Sequence, residues 1–263
     1  MSVIKIIVAT HKNFIMPQDK ELYLPVHVGC EGKKDLGFQG DNTGDNISVL
    51  NPYYCELTGL YWAWKNLECD YLGLVHYRRY FTKKGVTYKD SINIDAVILD
   101  KDDIEKMLEV SNVIVPKKRK YYIETLYSHY AHTLDGTHLD LARKMIEMKS
   151  PEYLSSFDKV MKQRSGYMFN MFIMKKELAD DYFTWLFPIL DSMYECMDLS
   201  SLTAFEARLF GRVSELLFNV WLVKNNLTPK EVPFMYMEKV NLLKKAKSFL
   251  MAKFFGKKYG QSF

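Results

Sequence analysis

Three apolar runs along the chain have the length and composition of buried β-strands. Residues 3–10 form a nearly unbroken run rich in β-branched side chains, and residues 70–76 and 111–115 are also mostly apolar. Such runs are typical of parallel strands that are covered on both faces. An apolar and aromatic run over residues 167–174 predicts one further strand. We therefore expect an α/β fold with a mostly parallel central sheet.

Helical patterns lie between and after these strands. Pro52 begins a stretch in which apolar side chains recur at steps of three and four residues, as on one face of a helix. Residues 29–46, by contrast, contain five glycines and several aspartates, which predicts a loop. The later part of the chain is mainly helical. Helices are predicted over residues 102–110, 125–132, 136–149, 151–164, 178–197 and 204–224.

The composition favours a cytoplasmic protein with one main domain. No repeat, low-complexity tract or Pro/Ser-rich linker divides the 263 residues. The apolar N-terminal run is too short for a signal peptide, and no run approaches the roughly 20 residues of a membrane span. The cysteines show neither a CxxC pair nor metal-ligand spacing, so we expect reduced thiols. They are Cys30, Cys55, Cys69 and Cys196.

Positive charge is concentrated at the C-terminus. The formal net charge is +4, yet residues 239–263 alone contain seven lysines and no acid. Residues 1–238 are therefore net negative, which argues against a nucleic-acid partner. We expect a main domain over 1–238 and a basic tail over 239–263.

The tail has the pattern of a basic amphipathic helix. Leu242, Leu243, Ala246, Phe249 and Leu250 follow helical steps, with lysines between them. This pattern suits an anionic membrane surface. The alternative is an ordinary docking helix with a solvated lysine face.

Polar residues follow two of the predicted strands, at the edge where open α/β sheets bind ligands. Thr10 and His11 follow the first strand, and the sequence HYRRY follows the second. Arg78 and Arg79 can each make bidentate hydrogen bonds to phosphate, while the tyrosines can stack on a ring. Surface salt bridges that close a strand are the alternative, but the position at a strand end favours a ligand site.

Other polar groups are weaker candidates. The loop over residues 41–48 carries short polar side chains that suit sugar hydroxyls, although turn chemistry explains them equally. His129 and His132 are three residues apart, so on a helix they share a face; a metal site or simple polar contacts would both fit. Asn170 interrupts an apolar run and needs partners or a pocket. Glu215 lies among apolar residues, where an acid acts as a base or pairs with an arginine.

Two long segments resemble the DUF4422 family of bacterial glycosyltransferases, which occur in gene clusters for capsule, exopolysaccharide and O-antigen. They are NPYYCELTGLYWAWKN over residues 51–66 and DYLGLVHYRRYF over residues 70–81. Segments 170–174, 182–187 and 208–221 are similar to the family too, so the resemblance spans about residues 3–225.

The resemblance implies a GT-A-like domain that transfers a sugar from a UDP donor. We expect galactose or galactofuranose as the sugar, and a hydroxyl of a lipid-linked oligosaccharide as the acceptor. Most GT-A enzymes hold a divalent metal on an Asp-x-Asp motif, whereas the comparable strand end here is His-Tyr-Arg. We expect the arginines to replace the metal, with Mn²⁺ or Mg²⁺ bound by other groups as the alternative, so no cofactor is required.

The resemblance and the patterns together assign candidate roles. The base that deprotonates the acceptor is expected among Asp135, His138 and Glu215, and Asn170 and His132 are expected to bind the acceptor. The enzyme is expected to lie peripherally on the inner face of the membrane. A non-catalytic carbohydrate-binding or scaffold protein is the alternative function. The donor site is expected to contain Thr10, His11, Asn46, Asn51, Tyr54, His76, Tyr77, Arg78 and Arg79.

Overall fold

A sheet of nine strands runs through the protein, and a separate two-stranded ribbon lies beside it. The computed structural model describes residues 2–89 and 92–238. The tail over 239–263, with its predicted helix and domain boundary, lies outside the described residues. The strands are β1 (Ile4–Thr10), β2 (Tyr23–His27), β3 (Gln39–Gly40), β4 (Tyr71–His76), β5 (Arg79–Phe81), β6 (Val113–Pro116), β7 (Arg119–Lys120), β8 (Ser165–Gly166), β9 (Phe172–Lys175), β10 (Lys230–Val232) and β11 (Phe234–Tyr236).

The sheet is mostly parallel, as the sequence predicts. The strand order is β10-β6-β9-β4-β1-β2-β3, and β9 alone among these seven strands runs antiparallel to its neighbours. Beyond the end of β4 the chain turns back as β5, which pairs with β11. Strand β7 pairs with β8 in the separate ribbon.

Helices cover the sheet and form most of the C-terminal half. Helix α2 packs on β1, α8 on β4 and β9, and α4 on β6, while α6 to α9 also pack on one another. In the described residues, no helix combines the length and apolar character needed to cross a bilayer. The helices are α1 (Asn51–Tyr54), α2 (Leu57–Asn66), α3 (Ile94–Val97), α4 (Lys101–Leu108), α5 (Leu126–Thr133), α6 (Thr137–Lys149), α7 (Leu154–Met161), α8 (Lys176–Cys196) and α9 (Leu209–Lys224).

Strands β1 and β4 form the buried centre of the sheet. Ile6, Ile7 and Val8 have no exposed surface, which explains why the sequence lacks polar alternation here. Gly73 in β4 lies so close to β9 that an added Cβ would be 3.0 Å from the carbonyl oxygen of Phe172. A glycine therefore allows the close approach of these two strands.

The helix predicted from Pro52 is divided in two. Cys55 has φ 54°, so the backbone leaves the helical conformation between α1 and α2. The Asn51 side chain donates to the Cys55 carbonyl at 2.7 Å and stabilises this turn. As a result, Glu56 lies at the start of α2 instead of in the middle of a continuous helix.

The prediction of a strand over residues 167–174 is wrong for its first half. Strand β9 begins at Phe172, and the preceding residues form a turn with Phe169 at φ 79° and Asn170 at φ 52°. Asn219 takes the place of a neighbouring strand at Tyr167, where its side chain bonds both the backbone N–H and the carbonyl at 2.8 Å. The apolar side chains of residues 167–171 are buried although these residues do not belong to a β-strand. Hydrophobic periodicity alone cannot distinguish a buried strand from a buried segment outside the sheet.

Asp41 holds the glycine-rich loop against the start of α2. Its fully buried carboxylate accepts backbone hydrogen bonds from Gly29 at 2.7 Å and Cys30 at 3.0 Å. It also accepts from the hydroxyls of Ser48 and Thr58. These four bonds connect the end of β2, the loop and α2 around one buried group.

We predict that Asp41→Asn lowers the free energy of unfolding by about 1–3 kcal/mol, the cost of leaving a buried donor without an acceptor. The new amide nitrogen would face donors, and the N–H groups of Gly29 and Cys30 cannot reverse their polarity. Urea denaturation measures the loss. The matched control is Asp35→Asn, because the exposed Asp35 accepts one bond, from Gly37, that the amide oxygen can replace. Equal stability of the two variants would contradict the assigned role.

Candidate active site

A cleft of about 400 Å³ opens where β4 ends. The β4–β5 turn, the α1–α2 junction, the ribbon strand β7, helix α5 and the first turns of α9 surround it, and Met168 and Phe169 contribute to its wall. Six of its lining side chains are cationic, and two carry carboxyl groups, Glu56 and Glu215. The cationic side chains are Arg78, Arg79, Arg119, Lys120, Arg208 and Arg212.

Asn170 connects the elements beneath the cleft. Its Nδ2 donates to Glu56 Oε1 at 2.8 Å and to the Gly211 carbonyl at 2.9 Å, and its Oδ1 accepts from the Ser214 hydroxyl at 3.0 Å. The left-handed backbone at Asn170 is a conformation that asparagine tolerates better than most residues. A single amide thus joins the start of α2, the turn before β9 and helix α9.

His76 lies at the end of β4 with restricted contact to water. Its Nε2 donates to the Phe169 carbonyl at 2.8 Å and lies 4.0 Å from Glu56 Oε1. Burial lowers the pKa of His76, and the attraction of Glu56 opposes this only in part. The ring is therefore neutral at pH 7, and its proton on Nε2 fixes the position of the Phe169 backbone.

Glu215 projects from α9 into the cleft. Burial raises the pKa of this carboxyl above its usual 4.5, and the nearby Glu56 raises it further. The charge of Arg212 and a backbone hydrogen bond from Phe169 act in the opposite direction. An acid with a raised pKa among cations can accept a proton or a hydrogen bond from a bound hydroxyl.

The Arg79 guanidinium packs against two aromatic rings that contact each other edge to face. Its guanidinium carbon lies 4.5 Å from the ring centre of Phe169 and 5.3 Å from that of Tyr236. Its Nε is buried and has no hydrogen-bond partner within the described part of the chain. The rings fix the side chain while leaving hydrogen-bonding capacity for a ligand.

Arg208 and Cys55 meet on another side of the cleft. The Arg208 Nε donates to the Cys55 sulfur at 3.4 Å, and burial raises the pKa of the Cys55 thiol to about 11. The thiol is therefore neutral at pH 7 and does not cancel the charge of Arg208. The cationic excess of the cleft is typical of a site for a multiply charged anion.

Sequence reasoning missed the pair of Glu124 and His129. Glu124 is 3 % exposed and accepts from Nδ1 of His129 at 3.1 Å and from Nδ1 of His132. Burial lowers the pKa of His129 to about 4 although Glu124 opposes the shift, so this lining residue is neutral. The i, i+3 spacing of the two histidines was the available signal, but nothing in the sequence marked Glu124 as their acceptor.

The predicted donor residues separate into two groups. His76, Arg78 and Arg79 line the cleft. Tyr77 lies beside them, edge-on to His11 with ring centres 5.3 Å apart. Thr10 is buried, and its hydroxyl bonds the backbone of Lys12 in the turn after β1.

The other three predicted donor residues make contacts within the fold. Asn46 accepts from the Ser48 backbone N–H in a turn, and Asn51 stabilises the turn at Cys55. Tyr54 is fully buried, and its hydroxyl donates to Asp191 at 2.8 Å. Neither these three residues nor Thr10, His11 and Tyr77 are among the lining residues of the cleft. The donor-binding roles of all nine residues stay predictions.

The predicted bases and acceptor residues are also separated. Asp135 accepts from the Thr137 backbone N–H at the start of α6, and His138 lies 3.1 Å from the Tyr130 hydroxyl. Neither lines the cleft, whereas Glu215 does. The acceptor candidates do not line the cleft either: Asn170 bonds its lining residues Glu56 and Gly211, and His132 bonds Glu124. Within residues 2–89 and 92–238, no three His, Cys, Asp or Glu residues are grouped as metal ligands would be.

Comparisons with known proteins agree with the predicted fold and family. A family model described as a domain of unknown function, DUF4422, matches residues 5–226. No curated protein matches the chain. The chain is similar to the apo structure of WbbM, a bifunctional glycosyltransferase, with a TM-score of 0.82 and 31% identity. The match covers 90% of this chain and 45% of the WbbM chain, so this protein spans less than half the length of that structure.

We predict that Glu215→Gln changes how stability depends on pH. When folding raises the pKa of a carboxyl, ionisation of that carboxyl destabilises the folded protein. The wild type should therefore lose stability as the pH rises above 4.5, the usual pKa of this group. The free energy of unfolding of the wild type, minus that of Glu215→Gln, should therefore fall between about pH 4 and pH 8. Urea denaturation of both proteins across this range measures the difference. A difference that is constant or that increases would contradict the raised pKa.

Proposed function

The chain belongs to the DUF4422 family, and we propose that it is a glycosyltransferase whose cleft binds the diphosphate of a UDP-sugar. The observation that carries this proposal is the cationic lining of the cleft, six side chains against two carboxyl groups. Similarity to a bifunctional glycosyltransferase supports the reaction class. The binding chemistry fits, because guanidinium groups recognise phosphate oxygens in bidentate geometry.

The arginines stabilise the leaving group. Arg78 and Arg79 approach the diphosphate from the end of β4, and Arg208 and Arg212 approach it from the start of α9. When the bond from the sugar to the diphosphate breaks, negative charge develops on the departing UDP. Cations that are already fixed in place stabilise that charge without having to reorganise. The contacts of the Arg79 guanidinium with the rings of Phe169 and Tyr236 support such a fixed position.

Glu215 is the carboxyl proposed to meet the acceptor. It lines the cleft, in contrast to Asp135 and His138, and burial raises its pKa, which makes the ionised carboxylate a stronger proton acceptor. It accepts the hydrogen bond of the acceptor hydroxyl, and also its proton when transfer inverts the anomeric carbon. Galactose or galactofuranose remains the proposed sugar, and a lipid-linked oligosaccharide the proposed acceptor.

We predict that Arg78→Ala and Arg79→Ala each weaken UDP binding by about 1–3 kcal/mol, the range for hydrogen bonds to charged groups. Isothermal titration calorimetry with UDP measures the affinity. Arg143→Ala is the matched control, because Arg143 pairs with Asp158 away from the cleft. Unchanged affinity in a folded Arg78→Ala/Arg79→Ala protein would exclude the phosphate role.

The same titration separates the enzyme from a carbohydrate-binding or scaffold protein, which has no reason to recognise free UDP. A panel of UDP-sugars then identifies the donor through UDP release, measured with and without acceptor. UDP binding with no release from any donor in the presence of acceptor would contradict catalysis.

We predict that activity survives chelation by EDTA and gains little from added Mn²⁺ or Mg²⁺. The reason is that the arginine side chains already neutralise the diphosphate. UDP release, measured before and after EDTA, is the readout. Complete loss of turnover that Mn²⁺ restores would show that a metal supplies this charge instead.

A further inference from the structure

An exposed patch of cations and apolar side chains borders the cleft. It consists of Lys117, Lys118, Arg119, Lys120, Tyr122 and Ile123, here called the rim patch. The four cations are consecutive and all exposed. Tyr122 is 75% exposed and Ile123 is 50% exposed. Of the large hydrophobic side chains exposed in the described residues, these two alone are neighbours in the chain.

The rim patch is held in place by the two-stranded ribbon. Arg119 and Lys120 form β7, which pairs with β8. After β7, the Tyr121 N–H donates to the Arg164 carbonyl at 2.8 Å, and the Arg164 side chain donates to the Tyr122 carbonyl at 3.1 Å. The projection of Tyr122 and Ile123 into solvent is therefore a feature of a hydrogen-bonded structure.

Tyr122 combines a strained backbone with an exposed ring. Tyr122 has φ 55°, a conformation that is unfavourable for an aromatic residue. Such strain persists where the surrounding structure imposes it, and it concentrates at functional positions. The positive φ costs free energy, and the exposed ring does not repay that cost through packing in the core. The exposed ring of Tyr122 therefore calls for a role other than packing.

The charge of the rim patch is not cancelled by its nearest acid in the chain. Glu124 follows Ile123 directly, but its carboxylate is buried and bonded to His129 and His132. Glu231 on β10, the strand that pairs with β6, accepts from the Tyr167 hydroxyl at 3.0 Å. Within the described residues, none of the four cations of the patch forms an ion pair with a carboxylate. The patch therefore presents a concentrated positive charge beside two apolar side chains.

We propose that the rim patch docks on the surface of an anionic lipid bilayer. Lysine and arginine attract anionic headgroups, while a tyrosine ring and an adjacent aliphatic side chain enter the interface between headgroups and acyl chains. Residues 1–238 are net negative overall, so within this part of the chain the attraction depends on local clusters of cations such as the patch. Since Arg119, Lys120 and Tyr122 also line the cleft, docking turns the mouth of the cleft toward the bilayer.

Flotation of the full chain with vesicles tests the charge of the patch. The wild type should bind vesicles of phosphatidylglycerol mixed with phosphatidylcholine better than pure phosphatidylcholine, and less so at high salt. Lys117→Gln/Lys118→Gln should weaken this binding roughly twentyfold. Lys33→Gln/Lys34→Gln removes an equally exposed lysine pair from the glycine-rich loop and should change it far less.

Two further variants test the apolar part. Tyr122→Asn should fold normally, because asparagine tolerates a positive φ, and it should weaken vesicle binding. Fluorescence of Ile123→Trp should be quenched by bromine-labelled lipids, whereas that of Val110→Trp, at an exposed position outside the patch, should not. Quenching of the Ile123→Trp fluorescence reports contact of the patch with lipid directly. It therefore distinguishes binding by the patch from binding by the lysine-rich tail, which all variants retain.

Several outcomes would overturn the proposal. They are absence of vesicle binding by the wild type, equal losses for the two lysine pairs, unchanged binding by Tyr122→Asn, and no quenching of Ile123→Trp. A preference for an oligonucleotide over vesicles, lost with the same substitutions, would assign the patch to nucleic acid instead. UDP titration does not depend on vesicle binding. A negative result with vesicles would therefore contradict membrane docking but not the proposed glycosyl transfer.

Discussion

The hydrogen bonds of one asparagine hold the candidate active site together. Asn170 uses both amide hydrogens and its oxygen at once, on Glu56, on the Gly211 carbonyl and on Ser214. Glu56 lies at the start of α2, whereas Gly211 and Ser214 lie together in the first turns of α9, so this amide joins two elements that are far apart in the chain. The amide also fixes the charged oxygen of Glu56, which in turn influences His76 and Glu215. The electrostatics of the cleft therefore depend on a neutral side chain beneath it.

Two opposing requirements meet in this cleft. Binding an anion calls for many cations, whereas folding disfavours like charges that are close together and partly buried. The structure reconciles them by placing rings beside guanidinium groups. Arg79 packs against the rings of Phe169 and Tyr236, and Arg212 lies 4.5 Å from the ring centre of Phe205. Aromatic faces attract cations without neutralising them, so the positive charge is retained for a ligand.

The sequence predicted those parts of the fold in which local pattern and burial agree. Strands β1 and β4 are covered on both faces, and the runs that encode them contain few polar residues, so both were found. The position of Arg78 and Arg79 followed from the end of β4, because parallel strands bring their carboxyl ends to one edge. Glu215 was found for a similar reason, as a charge among apolar neighbours.

The rest depended on tertiary partners that no local pattern contains. Cys55 breaks a helix that its neighbours favour, because the Asn51 side chain stabilises its carbonyl. The apolar residues before β9 form a turn because Asn219, on α9, bonds Tyr167. Residues such as Asn51 and Tyr54 lie in one of the segments on which the resemblance to the family was based, yet their contacts are internal to the fold. A family motif therefore marks the framework of a site as well as its surface.

The pairing of β5 with β11 affects the order in which the site forms during synthesis. Tyr236 is aligned with Arg79 across this pair, so a late residue supplies one of the two rings that hold an early arginine. Strand β5 is synthesised long before β11, so this wall of the cleft is incomplete until most of the described chain has been made. Contacts between such distant residues form slowly, because a long loop must close first. A chain that ended before β11 would lack one of the two rings that pack against Arg79.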